Sequence, residues 1–257
     1  VPARTPDTSK LHEKLSRWIA ADIVSGRLRE GDVVPSAEVL AAEHNVSRTV
    51  ARETLQALNS AGLITIRHGK RTTVTPVHEW RFLDDLVQEA VASGQVGGKL
   101  ATDLLETRIA LELSAVRWCA ERATDAQLAE IHAVASTQVR LAASEPIPLN
   151  EVVAADLTFH RLLAEGTGNH VVAQMVTSLR RQLVPTWAME QLSPAEFRQV
   201  AAEHLAVAEA LCARDTDKAV EVLQTHFRWS ADTTLKRTLP ASEHAGIERQ
   251  LYGRPQS

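Results

Sequence analysis

Residues 43–58, EHNVSRTVARETLQAL, have the pattern of a turn followed by an amphipathic helix. Asn45 suits the turn, because Asn tolerates the left-handed backbone conformation that commonly ends a helix. Ser47 suits the position just before the next helix, where a side-chain hydroxyl caps free backbone N–H groups. The apolar residues of this segment fall on one side of the helix: Val46, Val50, Leu55 and Leu58. The segment therefore predicts the turn and second helix of a helix-turn-helix.

The opposite side of this helix carries side chains suited to DNA. Arg48, Thr49 and Arg52 lie in its first turns, the part of a recognition helix that reaches base edges in the major groove. An arginine fork can bond to O6 and N7 of guanine. An ordinary amphipathic helix with a solvated charged face has the same pattern, so the neighbouring segments must decide between the two interpretations.

The neighbouring segments complete a three-helix unit with a hairpin. Residues 10–26 repeat apolar positions at helical spacing, and Ser36 is suited to cap a short helix after it. Residues 63–75 contain β-forming runs around a turn, which predicts a hairpin. The hairpin tip is basic and contains glycine: His68, Gly69, Lys70 and Arg71. Because such a tip can contact phosphates or the minor groove, this order of elements predicts a DNA-binding winged helix-turn-helix.

The charge distribution supports a division into two domains. The net charge of −4 by itself argues against binding to DNA. Residues 1–78, however, carry 11 Lys and Arg against 8 Asp and Glu, whereas residues 79–257 carry 17 against 24. This asymmetry is typical of a basic module joined to an acidic partner domain.

The sequence contains two cysteines, Cys119 and Cys212, and each lies in an apolar helical pattern. This placement predicts two buried thiols and no disulfide framework.

The sequence after Pro76 is almost entirely helical in pattern. Seven helical segments are separated by breaks rich in Gly and Pro. The predicted fold is mostly α, with a winged helix-turn-helix at 10–76 and an all-α bundle of about seven helices at 79–237. We expect residues 1–9 to form a disordered leader and residues 238–257 a flexible tail. No apolar run approaches the ~18 residues of a membrane span, so we expect no membrane contact and a cytoplasmic location.

Three histidines and one aspartate form a candidate metal site within this bundle. Asp156 and His160 lie four residues apart, on one face of a predicted helix. His204 and His226 lie on two later helices among apolar residues, so each could point inward. Three imidazoles and a carboxylate suit Zn²⁺, Ni²⁺, Mn²⁺ or Fe²⁺ and leave positions open for a ligand. The alternative is three unrelated histidines at helix interfaces, and their spacing alone does not exclude it.

Residues 10–76 resemble the winged-helix domain of GntR-type bacterial transcription regulators. The matching positions are Ile23, Gly26, Leu28, Gly31, Asp32, Pro35, Ser36, Leu40, Ala41, Val46, Ser47, Arg48, Val50, Arg52, Glu53, Leu55, Leu58, Gly62, Leu63 and Gly69. Two positions differ: Glu38 stands near a usual arginine of the second helix, and Arg71 replaces a second wing glycine. The resemblance implies that operator DNA is contacted by Ser36, Arg48, Thr49, Arg52, His68, Gly69, Lys70 and Arg71.

Residues 79–236 resemble the all-helical effector-binding domain of the FadR subfamily of these regulators, known as the FCD domain. Its metal-binding members carry an Asp-x-x-x-His pair and two later histidines. The matching residues are Asp156, His160, His204 and His226. Arg108 matches an arginine that often faces the effector cavity, where its fork can bind a carboxylate. The alternative for Arg108 is a salt bridge with Glu112, four residues later.

The resemblance implies a metabolite-responsive transcription regulator, and not an enzyme. A homodimer would bind a pseudo-palindromic operator in double-stranded DNA, as a repressor. A small organic or sugar acid would bind at a divalent metal ion, with zinc as the first choice and nickel, manganese or iron as alternatives. Two other interpretations stay open: a metal-dependent hydrolase, for which the sequence offers no positioned acid or base, and a sensor of the metal itself.

Overall fold

Ten α-helices and one two-stranded antiparallel sheet make up the described part of the chain. The computed structural model describes residues 8–67, 69, 71–93, 98–183 and 192–238. The chain divides into two units, Val1–Val96 and Gly97–Ser257. The predicted fold class is confirmed, because a winged helix-turn-helix precedes a bundle of helices.

Three helices form the helix-turn-helix: α1 (Thr8–Val24), α2 (Ala37–Glu43) and α3 (Arg48–Ser60). Both predicted caps are present, since Ser36 Oγ accepts from the backbone N–H of Val39 and Ser47 Oγ from that of Val50. Asn45 lies between α2 and α3 with a φ of 52°, the left-handed conformation predicted for the turn. Such a cap contributes ~1 kcal/mol, so Ser36 and Ser47 set the residues at which α2 and α3 begin.

The predicted hairpin follows α3. Strand β1 (Ile64–Thr65) pairs antiparallel with strand β2 (Thr73–Val74), and Ile64 lies opposite Val74. Gly69 lies at the tip with a φ of 72°, a conformation that glycine adopts without steric cost. This short hairpin is the wing of the winged-helix arrangement.

The segment after the wing differs from the helix predicted to start at residue 79. A 3₁₀ turn covers Val77–Glu79, and α4 (Asp85–Ala92) begins after Asp84, whose carboxylate accepts from the backbone N–H of Leu86. Trp80 is buried in between, and its indole N–H donates to the carbonyl of Thr75 over 3.3 Å. The capping aspartate therefore starts the helix later than apolar spacing indicated.

Helix α4 packs against α1, within the first unit. Arg17 Nε on α1 lies 2.5 Å from Glu89 Oε2 on α4. The expected domain boundary at residue 79 grouped this helix with the bundle, whereas the two units divide between Val96 and Gly97. Apolar spacing marks a face that must be covered, but it does not say which helix covers it.

Six helices are described in the second unit: α5 (Gly98–Arg122), α6 (Asp125–Ala142), α7 (Leu149–Glu165), α8 (His170–Leu183), α9 (Pro194–Cys212) and α10 (Thr216–Thr238). With α4 they make the seven predicted helices after the wing. Helix α6 packs against α7 and α9, and α5 packs against α8 and α10. The core contains Ile131, Phe159, Leu211, Leu223 and Phe227. No helix in the described ranges is long and apolar enough to cross a membrane.

Candidate functional site

The recognition helix α3 presents the predicted DNA-contacting side chains to solvent. Arg48, Thr49 and Arg52 are exposed, whereas Val50 and Leu55 are buried in the first unit. The exposed residues lie in the first two turns, where a recognition helix reaches base edges. The helix therefore has the one-sided arrangement that its sequence predicted.

Glu38, on α2, lies beside this exposed face. Hydrogen bonds from its own backbone N–H and from Ser36 hold the pKa of its carboxyl below the ordinary value, and the charges of Arg48 and Arg52 act in the same direction. Desolvation of the Glu38 carboxyl opposes these effects, by less than either hydrogen bond but by more than either arginine charge. A carboxylate therefore stands close to the two arginines that are candidates for base contact.

The predicted wing tip is described only in part. Gly69 and Arg71 are exposed, so the guanidinium group of Arg71 is accessible to a phosphate. His68 and Lys70 lie outside the described residues. Ser36 is also exposed, with its hydroxyl oxygen used as the cap of α2.

The three predicted histidines come together inside the second unit. His160 on α7, His204 on α9 and His226 on α10 are buried, and one ligand nitrogen from each lies within 4.8 Å of those of the other two. The ring centroids of His160 and His204 are 4.9 Å apart, and those of His204 and His226 are 4.7 Å apart. Because a zinc–nitrogen bond measures about 2.0–2.1 Å, small side-chain rotations suffice to bring the three rings onto one ion.

Each of these imidazoles has an oxygen of another side chain at Nδ1. Gln138 Oε1 accepts from His204 Nδ1 over 2.7 Å, and Glu203 Oε2 accepts from His226 Nδ1 over 2.7 Å. The His160 Nδ1 is in contact with a carboxylate oxygen of Glu112. An acceptor at Nδ1 places the hydrogen there and leaves the lone pair on Nε2.

The opposite nitrogens of two rings fit a metal ion. Nε2 of His160 and Nε2 of His204 are buried and have no hydrogen-bond partner among the described residues. A buried polar nitrogen without a partner costs free energy, so it calls for a ligand. With their tautomers held by Nδ1, these nitrogens are suited to a divalent cation such as Zn²⁺.

Burial favours the neutral forms of the His160 and His204 imidazoles, and a metal ion binds the neutral form. It lowers the pKa of His160 to about 4, with Arg180 acting in the same direction and Glu112 opposing it. Burial also holds the pKa of His204 well below the ordinary value, and the neighbouring His226 and His160 add to this effect. Both rings are therefore neutral near pH 7, and a neutral imidazole is the ligand form.

Asp156, the fourth predicted ligand, is buried one turn before His160 and faces an arginine. Its Oδ2 is in contact with Arg180 Nη2 on α8, and its Oδ1 lies 3.9 Å from Nδ1 of His204. Burial raises the pKa of the Asp156 carboxyl, but Arg180 above all lowers it, and the result is below the ordinary value. The carboxylate therefore lies at the edge of the histidine cluster, outside the group of three nitrogens.

Arg108 is buried on α5, and its Nε donates to Glu112 Oε1 over 2.7 Å, the salt bridge that the sequence offered as an alternative to effector binding. Its guanidinium carbon lies 5.1 Å from the centroid of the Phe227 ring. Arg180 Nη1 donates to the same oxygen of Glu112 over 3.2 Å. Burial raises the pKa of the Glu112 carboxyl, but His160 and the two arginines hold it well below the ordinary value. A buried, charge-balanced network therefore adjoins the histidines.

Four residues at this cluster were not among the predicted site residues: Glu112, Gln138, Arg180 and Glu203. The sequence spacing indicates Glu112 only as a partner of Arg108. Glu112 and Gln138 occupy positions of α5 and α6 where the helical period places buried residues. A polar residue at a position where the helical period predicts burial indicates a candidate site residue, because its side chain must find a polar partner in the interior. No comparable signal marks Arg180 or Glu203.

Two family descriptions match the chain. Residues 11–74 match bacterial regulatory proteins of the gntR family, and residues 103–228 match the FCD domain. The first range contains the helix-turn-helix and the wing. The second contains the three clustered histidines, Asp156 and Arg108.

Curated relatives resemble most of the chain. The galactonate operon transcriptional repressor of Escherichia coli K12 is 28% identical over 216 residues, which cover 80% of this chain and 89% of that protein. The transcriptional repressor NanR of Cronobacter sakazakii is 29% identical over 240 residues, with 89% of both chains covered. NanR of Salmonella arizonae is 30% identical over 225 residues, which cover 85% of this chain and 82% of that protein.

Two solved structures share the fold. Lar of Listeria monocytogenes is 15% identical with a TM-score of 0.59, and the match covers 87% of this chain and 96% of Lar. McbR/YncC of Escherichia coli is 19% identical with a TM-score of 0.51, and the match covers 88% of this chain and 98% of that one. At these identities the likeness concerns the fold alone.

Proposed function

The chain belongs to the GntR family of bacterial regulatory proteins and carries an FCD domain, and we propose that it is a repressor whose operator affinity is set by a small organic acid bound at a metal ion. As a member of this family it is a DNA-binding transcription regulator. The single observation that carries the proposal is the cluster of three buried histidines beside two buried arginines.

DNA binding is assigned to the exposed face of the first unit. Arg48, Thr49 and Arg52 would contact base edges from α3, because they lie exposed in its first two turns. Ser36 and the wing tip would contact the backbone or the minor groove: His68, Gly69, Lys70 and Arg71. Two copies of the recognition helix in a homodimer would bind the two halves of a palindromic site. Since the target is chromosomal DNA, the protein acts in the cytoplasm.

A divalent metal ion, zinc in first place, is assigned to His160, His204 and His226, with Asp156 as the fourth ligand. The buried Nε2 atoms without partners and the oxygen acceptors at Nδ1 support this assignment. Oδ1 of Asp156 can bind while Oδ2 keeps its contact with Arg180. When bound, the ion supplies positive charge and open coordination positions for an oxygen ligand.

The effector is assigned to the class of small carboxylates, including sugar acids. Arg108 and Arg180 balance Glu112 and Asp156, so a divalent ion leaves this region with excess positive charge that an anion can neutralise. Arg108 reaches the effector by exchanging its bond to Glu112 for one to the incoming carboxylate. The relative named for the galactonate operon suggests galactonate as the first probe. An acid of this kind changes operator affinity only if it binds the two states of the protein unequally.

Two other functions make different predictions. A metal sensor would change operator affinity with zinc alone, whereas the proposed regulator needs the acid as well. A metal-dependent hydrolase would need an acid or base placed beside the metal. The acidic groups described there are engaged by arginines or by histidine Nδ1 atoms, which favours a regulatory site.

Elemental analysis of the full chain, purified without chelators or nickel resin, tests the metal assignment. We expect about one zinc per chain in the wild type, loss of zinc in His204→Ala, and retention in His170→Ala, because His170 is exposed on α8. The same proteins are then titrated with galactonate on a DNA fragment selected by the wild type. A wild type without metal, or a His204→Ala variant with full metal, contradicts the proposal.

A further inference from the structure

The carboxylate of Glu112 is shared between the arginine pair and one of the histidines. Its Oε1 accepts from Arg108 Nε over 2.7 Å and from Arg180 Nη1 over 3.2 Å. Its Oε2 is in contact with Nδ1 of His160, which belongs to a different helix. Glu112 is buried, with 2% of its surface exposed.

We propose that Glu112 is a positioning residue of the metal site, whose carboxylate keeps the hydrogen of His160 on Nδ1 and thereby presents Nε2 of that ring to a divalent cation. The inference rests on the proposed function, because His160 needs this tautomer only if the histidines bind a metal. Glu112 itself does not touch the cation. It acts through the orientation and basicity of the His160 ring.

The tautomer of His160 depends more strongly on Glu112 than the tautomer of His226 depends on Glu203. Glu203, the acceptor for His226, keeps 17% of its side chain exposed, so water can take its place. The His160 side chain is 0% exposed, its Nδ1 lies in contact with Glu112 Oε2, and neither atom has a hydrogen-bond partner elsewhere among the described residues. Without Glu112 the Nδ1 hydrogen would be buried and unpaired, so the ring would favour the tautomer with the hydrogen on Nε2. That tautomer has no lone pair to offer a cation at Nε2.

The two arginines hold the carboxylate of Glu112 where His160 can use it. Both donate to Oε1, which leaves Oε2 for the imidazole. Arg180 also contacts Asp156, one turn before His160 on α7. The pair Glu112 and Arg180 therefore connects two α7 residues, the candidate ligands His160 and Asp156, to helices α5 and α8.

The test compares Glu112→Leu and Glu112→Gln with the wild type in the full chain. Glu121→Leu and Glu121→Gln are matched controls, because Glu121 is an exposed glutamate on the same helix. Zinc affinity is measured by competition with a chromophoric chelator. Imidazole ¹⁵N chemical shifts in the metal-free protein show which nitrogen of His160 carries the hydrogen, a readout that a purely structural role would leave unchanged. Circular dichroism reports the fold.

We expect zinc affinity to fall by about 10- to 100-fold in Glu112→Leu, with the His160 hydrogen moved to Nε2. Glu112→Gln should lose several-fold less, because its amide oxygen still accepts from Nδ1, and the Glu121 variants should match the wild type. Wild-type zinc affinity in Glu112→Leu overturns the inference. If Glu112→Leu does not fold, a His160 hydrogen found on Nε2 in the metal-free wild type overturns it instead. A wild type that binds no zinc rejects the proposed metal function itself.

Discussion

Gln138 Oε1 on α6 lies 2.7 Å from Nδ1 of His204 on α9, inside the second unit. Both side chains are 0% exposed. The amide nitrogen of Gln138 has no hydrogen-bond partner among the described residues, so the glutamine carries a desolvation cost that only one of its two polar atoms recovers. Gln138 therefore lowers the stability of the fold through its unpaired amide nitrogen while its oxygen accepts from His204. This combination indicates a role in the histidine site.

Replacing Gln138 with Leu should separate stability from metal binding. The variant removes an unpaired buried amide nitrogen but also leaves His204 Nδ1 without its acceptor, so the metal-free protein should lose about 1–3 kcal/mol of unfolding free energy. Zinc affinity should fall by about 10- to 100-fold, because His204 loses the acceptor that fixes its tautomer. Chelator competition and urea denaturation measure the two quantities. Equal zinc affinity in the variant and the wild type would remove Gln138 from the site.

Gly62 should be the most sensitive of the glycines described in the first unit. It has a φ of 78°, and a Cβ there would overlap the carbonyl oxygen of Glu79. Gly26 has a φ of 77° with nothing within 4 Å of the same position, so it is a matched control for backbone strain alone. We expect Gly26→Ala to cost ~1 kcal/mol and Gly62→Ala roughly 1–3 kcal/mol more. Chemical denaturation measures both, and equal costs would contradict the close approach of Glu79.

Truncating the exposed arginines of α3 should weaken DNA binding without unfolding the chain. Arg48→Ala and Arg52→Ala should each cost roughly 1–3 kcal/mol of binding free energy for each lost base contact. Fluorescence anisotropy with a fragment selected from random DNA by the wild type measures the effect. Arg117→Ala is the control, since Arg117 is an exposed arginine on α5 of the second unit. Unchanged affinity in both α3 variants would exclude this helix from base recognition.

The two thiols should differ in reactivity, although the sequence predicted both to be buried. Cys119 is 0% exposed, and burial raises the pKa of its thiol to about 12 with only partial opposition from Arg214. Cys212 is exposed at the end of α9, so its prediction was wrong. One thiol per chain should react quickly with Ellman's reagent at pH 8, and the second only on unfolding. Cys212→Ser should abolish the fast phase; a remaining fast thiol would contradict the burial of Cys119.

Local chemistry explains which parts of the fold were predictable. The caps Ser36 and Ser47, the left-handed Asn45 and the apolar stripe of α3 act over a few residues, so their effect is visible in the sequence. The convergence of His160, His204 and His226 was also predictable, but only through the resemblance to a family. The spacing of residues along the chain does not show which helix faces pack together in one core.

Residue patterns alone predict the winged helix, the seven helices described after it and the candidate residues for DNA and metal binding, because capping, periodicity and side-chain chemistry are local. Packing in the folded chain places α4 on α1, Arg180 beside Asp156, and Glu112, Gln138 and Glu203 beside the three histidines. Each of these contacts joins two different helices. They are set by how whole apolar faces pack together, a property of the assembled bundle that no single segment contains.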